Sequence, residues 1–189
     1  MITLVCGLGR CGTSMTMHML KAGGHPVFAD KPGSLEHSRM TTLPGEHVWM
    51  QSVDGAAIKI NDPHVFTPPP GLEYAAVFLT RDHYQQAKSM QKLEAEAGHK
   101  PVRTARADLR HKMNWLRKSE IKCLNVLNKL TKYSMFIDTF EGVLRRPEDF
   151  ALNLQDLTGK ELDIASMVAV VRERGPETLP GFIETEIYL

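Results

Sequence analysis

The sequence predicts a single α/β domain over residues 1–189, in which a mostly parallel sheet of about four or five strands carries helices on both faces. Two observations lead to this fold class. Short apolar segments typical of buried strands alternate along the chain with longer segments of helical periodicity. Polar residues follow three of the predicted strands, at Arg10, Asp62 and Arg81, and functional groups of such folds gather where the strands end.

The first strand and the first helix are the clearest elements. Residues 2–6 are apolar and β-branched without alternation, which indicates a short, fully buried strand. The stretch from Thr13 to about Ala22 carries apolar residues at helical spacing, and Gly23 and Gly24 end this helix. A short loop, residues 7–12, connects this strand to the helix.

The later elements continue the alternation. Strands are predicted at 56–60, 75–80 and 134–138, and helices at 84–97, 103 to about 130 and 147–157. Residues 28–53, in contrast, show no periodicity. A loop of this length in a compact domain is usually either functional or disordered.

Composition and charge narrow the possible functions. The chain has 23 Lys and Arg against 22 Asp and Glu, so it lacks the basic surplus of proteins that bind nucleic acid or anionic membranes. No segment is apolar and long enough to cross a bilayer. The cysteines at 6, 11 and 123 form no C-x-x-C pair, and the eight histidines lack metal-ligand spacing, so no disulfide framework and no metal site are expected. A cytoplasmic protein is expected.

The loop after the first strand has the composition of an anion site. Gly7 and Gly12 bracket four residues, as in the phosphate loop G-x-x-x-x-G-K-[ST], whose N–H groups converge on a phosphate at the helix N-terminus. Thr13 occupies the lysine position, and the cation is Arg10, inside the loop. The helix dipole and Arg10 would lower the pKa of Cys11, although a structural role is favoured for this thiol. The predicted fold is therefore the three-layer, P-loop NTPase-like type, serving a donor other than ATP.

At these residues the chain resembles the sulfotransferases that use 3′-phosphoadenosine 5′-phosphosulfate (PAPS), in particular short bacterial and phage-like members. Their loop has the form [KR]-[ST]-G-[ST]-[ST], which residues 10–14 match except for Cys11. Their second hallmark is an arginine at a strand end with a serine eight residues later, as at Arg81 and Ser89. The two motifs occur in the family's order, and together they are more specific than either alone.

The resemblance implies how the co-substrate PAPS is bound. Arg81 and Ser89 would hold its 3′-phosphate, and Arg174 matches weakly an element that completes this part of the family's site. The loop would hold the 5′ side of the nucleotide through Gly9, Arg10, Cys11, Gly12, Thr13 and Ser14. The family needs no metal, and the acceptor would be a small molecule or a glycan.

Sulfuryl transfer requires a cation at the leaving oxygen and a base for the acceptor. Arg10 is the natural cation. The family places a His or Glu base near the acceptor, often just after a strand with a lysine, and here Asp62 and His64 follow Lys59 in the matching segment. The resemblance implies that Lys59 would contact the sulfuryl oxygens. Glu36 in the long loop is the other candidate. His64 and Asp62 rank level, ahead of Glu36.

Two other functions stay open from the sequence. A phosphotransferase would use ATP, with Asp138 as the magnesium ligand, although Thr13 in the lysine position and the Arg81–Ser89 pair argue against it. A non-catalytic nucleotide-binding protein would keep the loop and lack the base. The sequence names neither the acceptor nor the oligomeric state.

Overall fold

Four parallel strands form the centre of the computed structural model, which describes residues 1–31, 33, 35–38, 47–98, 104–131 and 134–172. The strands are β1 Ile2–Gly7, β2 Ala57–Asn61, β3 Tyr74–Thr80 and β4 Met135–Thr139. They are parallel throughout and lie in the order β2-β1-β3-β4. Their carboxyl ends therefore form one edge, at which Gly7 pairs with both Asn61 and Leu79.

Helices connect the strands and complete the C-terminal part of the described chain. They are α1 Thr13–Ala22, α2 His83–Glu96, α3 Ala105–Thr131, α4 Phe140–Arg145, α5 Pro147–Thr158 and α6 Ile164–Arg172, with a short 3-10 helix at His47–Ser52. The Asp82 carboxylate caps α2 by accepting from the Gln85 N–H at 2.9 Å. Pro147 begins α5, and Gly159, with φ of 64°, ends it. None of these helices is long and apolar enough to span a membrane.

Both faces of the sheet are covered, which confirms the three layers predicted from the sequence. Side chains alternate between the two faces along a strand. Val5 and Val77 accordingly lie in a buried cluster with residues of α1, α5 and α6. Leu4 and Phe78 lie in a second buried cluster, formed with residues of α3. The chain has the P-loop-like α/β fold.

The predicted strands and helices are confirmed, with their ends shifted by at most two residues. Three elements were not predicted. α4 is only six residues long, too short for a periodic pattern, and α6 is apolar on most sides, so no face stands out. The 3-10 helix falls in the region 28–53, whose start runs along the sheet edge, where the Phe28 N–H donates to the Ala57 carbonyl at 2.8 Å.

Candidate functional site

The loop between β1 and α1 forms a cradle at the N-terminus of α1. Arg10 and Gly12 both have left-handed backbone conformations, with φ of 71° and 99°. Within the described ranges, no side chain caps α1. The N–H groups of its first turn and the positive end of the helix dipole therefore face the loop, an arrangement that suits an anion.

Close packing below the loop explains two of its glycines. A Cβ at Gly7 would overlap Cys11 Sγ and lie 2.7 Å from the Leu79 carbonyl oxygen, and a Cβ at Gly12 would lie 2.7 Å from Phe140 Cδ2. Cys11 is fully buried, and burial raises the pKa of its thiol to about 12. The expectation that the loop lowers this pKa is wrong, because the loss of hydration outweighs the helix N-terminus. Cys11 packs beneath the loop as a neutral thiol.

The structure brings Arg10, the cation of the first sequence motif, into contact with both residues of the second motif. Arg10 Nε donates to Ser89 Oγ at 3.0 Å. Arg81 Nη1 donates to the Arg10 carbonyl oxygen at 3.2 Å. Arg10 follows β1, whereas Arg81 and Ser89 follow β3, and these strands are neighbours in the sheet. The contact between the motifs is thus a consequence of strand order.

Arg81 is buried, with 8% of its surface exposed. Its guanidinium carbon lies 4.6 Å from the centre of the Phe140 ring, and its Nε lies 3.6 Å from Glu141 Oε1. Burial lowers the pKa of Arg81, with Arg10 adding to the effect and Glu141 opposing it. An arginine stays charged under such shifts. In the described part of the chain, its Nε and Nη2 have no hydrogen-bond partner, so this buried cation has donors available for an anion.

A second network flanks the loop on the β2 side. Lys59, with only 4% of its surface exposed, donates to Ser14 Oγ at 2.9 Å and to Glu36 Oε1 at 2.7 Å. Asn61 Nδ2 donates to the same Glu36 oxygen at 3.1 Å, and Thr13 Oγ1 donates to Asn61 Oδ1 at 3.2 Å. The network connects the first turn of α1 to the Glu36 carboxylate.

Glu36 is held in its charged form by this network. Partial burial raises the pKa of the carboxyl, but hydrogen bonding and charge from Lys59, with the charge of Lys31 and the Asn61 amide, outweigh it and lower the pKa overall. The carboxylate can therefore accept a proton throughout the neutral pH range.

The other two base candidates have different surroundings. Asp62 follows β2 with φ of 55°, and burial raises its pKa to about 6. His64 lies against α3, with Nδ1 3.1 Å from Cys123 Sγ. Burial lowers the pKa of His64, and the charge of Lys122 adds to the effect.

Arg174 and Asp138 are the remaining residues named from the sequence. Arg174 falls outside the described residues. Asp138 accepts the Thr139 N–H at 2.7 Å through Oδ1, at the junction between β4 and α4. Among the described residues, no group of three His, Cys, Asp or Glu side chains is arranged to hold a metal ion.

Several contacts in the site were missed by the sequence analysis. Asn61 is the last residue of β2, and Glu141 follows the end of β4 by two residues, so applying the strand-end rule to every strand finds both of them. Gln86 donates to the carbonyl oxygens of Gly9 at 2.8 Å and Leu8 at 3.2 Å, and so anchors the loop to α2. No sequence pattern marks Gln86, because its role depends on how α2 lies beside the loop.

Solved structures with a similar fold include a retinol dehydratase in complex with androsterone and the inactive cofactor PAP. It matches with a TM-score of 0.60 and 15% identity, over 96% of this chain and 66% of that one. A retinol dehydratase structure with retinol and PAP matches with a TM-score of 0.60 and 15% identity, over 99% of this chain and 69% of that one. A sulfotransferase from Alicyclobacillus acidocaldarius matches with a TM-score of 0.55 and 13% identity, over 93% of this chain and 87% of that one.

These likenesses show the fold. The chain spans about two thirds of the length of the retinol dehydratase in the first match. No protein-family model matches the chain, and no curated protein matches it by sequence.

Gly12→Ala is expected to destabilise the protein by about 1–2 kcal/mol, because a residue with a Cβ is strained at φ of 99° and the added carbon crowds Phe140. Urea unfolding measures the change. Gly9→Ala is the matched control, since a Cβ at Gly9 meets nothing within 4 Å. Equal stabilities for the two variants would contradict the tight packing of the loop.

Proposed function

We propose that this chain transfers a sulfuryl group from PAPS to a hydroxyl or amine of a small-molecule or glycan acceptor. The observation that carries the proposal is the contact of Arg10 with Arg81 and Ser89, which joins both sequence motifs in one site. The retinol dehydratase structures add support, because they hold PAP, the 3′-phosphoadenosine 5′-phosphate that remains when PAPS has lost its sulfuryl group.

The described residues fit the two phosphate-bearing positions of such a nucleotide. The first-turn N–H groups of α1 and the hydroxyls of Thr13 and Ser14 suit the 5′ side. We assign the 3′-phosphate to Arg81 and Ser89. A guanidinium can bind a phosphate through two parallel hydrogen bonds. Arg81 is a buried cation whose donors at Nε and Nη2 have no hydrogen-bond partner in the described chain. ATP has no 3′-phosphate and would leave these donors unused.

Arg10 is the cation assigned to the leaving oxygen. As the bond between sulfur and the bridging oxygen breaks, negative charge grows on that oxygen. A fixed guanidinium and the N–H groups of α1 stabilise this charge where it develops. Because arginine stays protonated, Arg10 acts through its charge and not as an acid.

Glu36 is the residue assigned as the base. Lys59 binds both Glu36 and Ser14, so a single side chain separates this carboxylate from the first turn of α1. His64, which the sequence ranked higher, lies against Cys123 on α3 instead. In the proposed step the acceptor oxygen or nitrogen bonds to sulfur, its proton passes to Glu36, and the departing bond pair stays with PAP.

Arg81→Ala is expected to weaken PAP binding roughly ten- to hundredfold, corresponding to about 1.5–3 kcal/mol for hydrogen bonds to a charged group. Adenosine 5′-phosphate, which has no 3′-phosphate, should bind nearly as before. Titration calorimetry with both nucleotides measures the difference. Arg146→Ala is the control, because that side chain is 66% exposed. Equal losses for both nucleotides would mean that Arg81 only supports the loop through the Arg10 carbonyl.

Glu36→Gln is expected to lower kcat by about 10²- to 10⁴-fold with little change in PAP affinity, because a base acts on the acceptor and not on the nucleotide. Turnover is measured with an acceptor found in a panel of phenols, alcohols and amines. Since Lys59 keeps the Glu36 pKa low, the wild-type rate should have no base limb near neutral pH. A limb near neutrality that disappears in His64→Gln would transfer the role to His64.

A further inference from the structure

The carboxylate of Glu141 faces the cation that is assigned to the 3′-phosphate. Glu141 Oε1 lies 3.6 Å from Arg81 Nε, and the two side chains are 20% and 6% exposed. This distance is too long for a hydrogen bond. Neither of the two atoms has a hydrogen-bond partner among the described residues. The pair therefore interacts through charge, largely shielded from water, and without a hydrogen bond.

The position of Glu141 is fixed by the start of α4. Thr139 ends β4 and caps α4 by accepting the Gly142 N–H at 2.9 Å. Phe140 begins α4 and places its ring 4.6 Å from the Arg81 guanidinium. These contacts fix the backbone at Glu141, the next residue, and so place its side chain beside the same guanidinium.

We propose that Glu141 is an internal counter-ion of Arg81 that competes with the 3′-phosphate and thereby sets how tightly and how long the nucleotide is held. This role rests on the proposed function. In the free protein the carboxylate compensates the charge of a buried cation that would otherwise have no ion-pair partner among the described residues. When a phosphate reaches Arg81, two anions share one guanidinium, and their repulsion in a poorly hydrated site opposes binding.

Both effects predict that a neutral side chain in place of Glu141 strengthens PAP binding. In Glu141→Gln the free protein loses the negative charge that compensates the positive charge of Arg81. A bound phosphate then compensates more of the Arg81 charge than it does in the wild type. The bound state also loses the repulsion between the carboxylate and the phosphate. PAP should therefore bind about tenfold more tightly or better, mainly because it dissociates more slowly.

Asp82→Asn provides the matched control. Asp82 is adjacent to Arg81 in the chain and its removal changes the charge by the same amount, but it is exposed and its carboxylate caps α2. Asparagine keeps the cap. Solvent screens an exposed charge, so this variant should change PAP affinity much less than Glu141→Gln does.

The experiment measures PAP and adenosine 5′-phosphate affinities by calorimetry, and PAP dissociation by stopped flow, for wild type, Glu141→Gln and Asp82→Asn. We expect Glu141→Gln to bind PAP more tightly than wild type does, with no such increase for adenosine 5′-phosphate and none in Asp82→Asn. Glu141→Asp, one methylene shorter, withdraws the charge and should give a smaller gain, which keeps the test available if the glutamine variant folds poorly.

Weaker or unchanged PAP binding in Glu141→Gln overturns the role of Glu141, as does an equal gain for both nucleotides or an equal gain in Asp82→Asn. A wild-type protein that binds PAP no better than adenosine 5′-phosphate overturns the proposed function itself, and the role of Glu141 with it. These results are distinct, because the first set compares variants and the last compares nucleotides on the wild-type chain.

Discussion

The buried guanidinium of Arg81 is the group on which the site depends. It supports the loop after β1 through the Arg10 carbonyl, lies against Phe140 at the start of α4, and faces Glu141. Three strand ends thus meet at one cation. A buried charge with incomplete hydrogen bonding is unfavourable on its own. In the proposed function, the 3′-phosphate supplies the missing hydrogen-bond partner of Arg81.

Strand order arranges the rest of the site around this contact. Along the carboxyl edge of the sheet, in the strand order β2-β1-β3-β4, lie Lys59, the loop after β1, Arg81 and Glu141. Glu36 pairs with Lys59 at the β2 end. In the proposed function, nucleotide recognition therefore belongs to the β3 side of the loop and acceptor activation to the β2 side. The loop between them is where the bond from sulfur to the nucleotide would break and the bond from sulfur to the acceptor would form.

The sequence predicted those parts of the molecule that depend on local pattern. Buried strands, the loop glycines and the strand-end arginines are encoded within short segments, so the α/β fold and the approach of Arg10 to Arg81 followed from neighbouring parallel strands. Contacts that depend on the path of an irregular segment were not predictable. The Glu36–Lys59 pair depends on an irregular segment that runs parallel to β2 at Val27 and pairs Lys31 with Glu36 in an antiparallel bridge. Glu141 lies close enough to the end of β4 for the strand-end rule to find it, but its contact with Arg81 depends on α4, which is too short to show a period.

The most direct measurement is the thermal stabilisation of the wild-type chain by PAP, adenosine 5′-phosphate and ATP at equal concentrations. If one site binds both phosphate-bearing ends of a single nucleotide, PAP should raise Tm far more than the other two. A ligand at a hundred times its Kd stabilises by about 2.7 kcal/mol, so the difference would be plain. Stabilisation by ATP equal to or greater than that by PAP would contradict a site built around a 3′-phosphate.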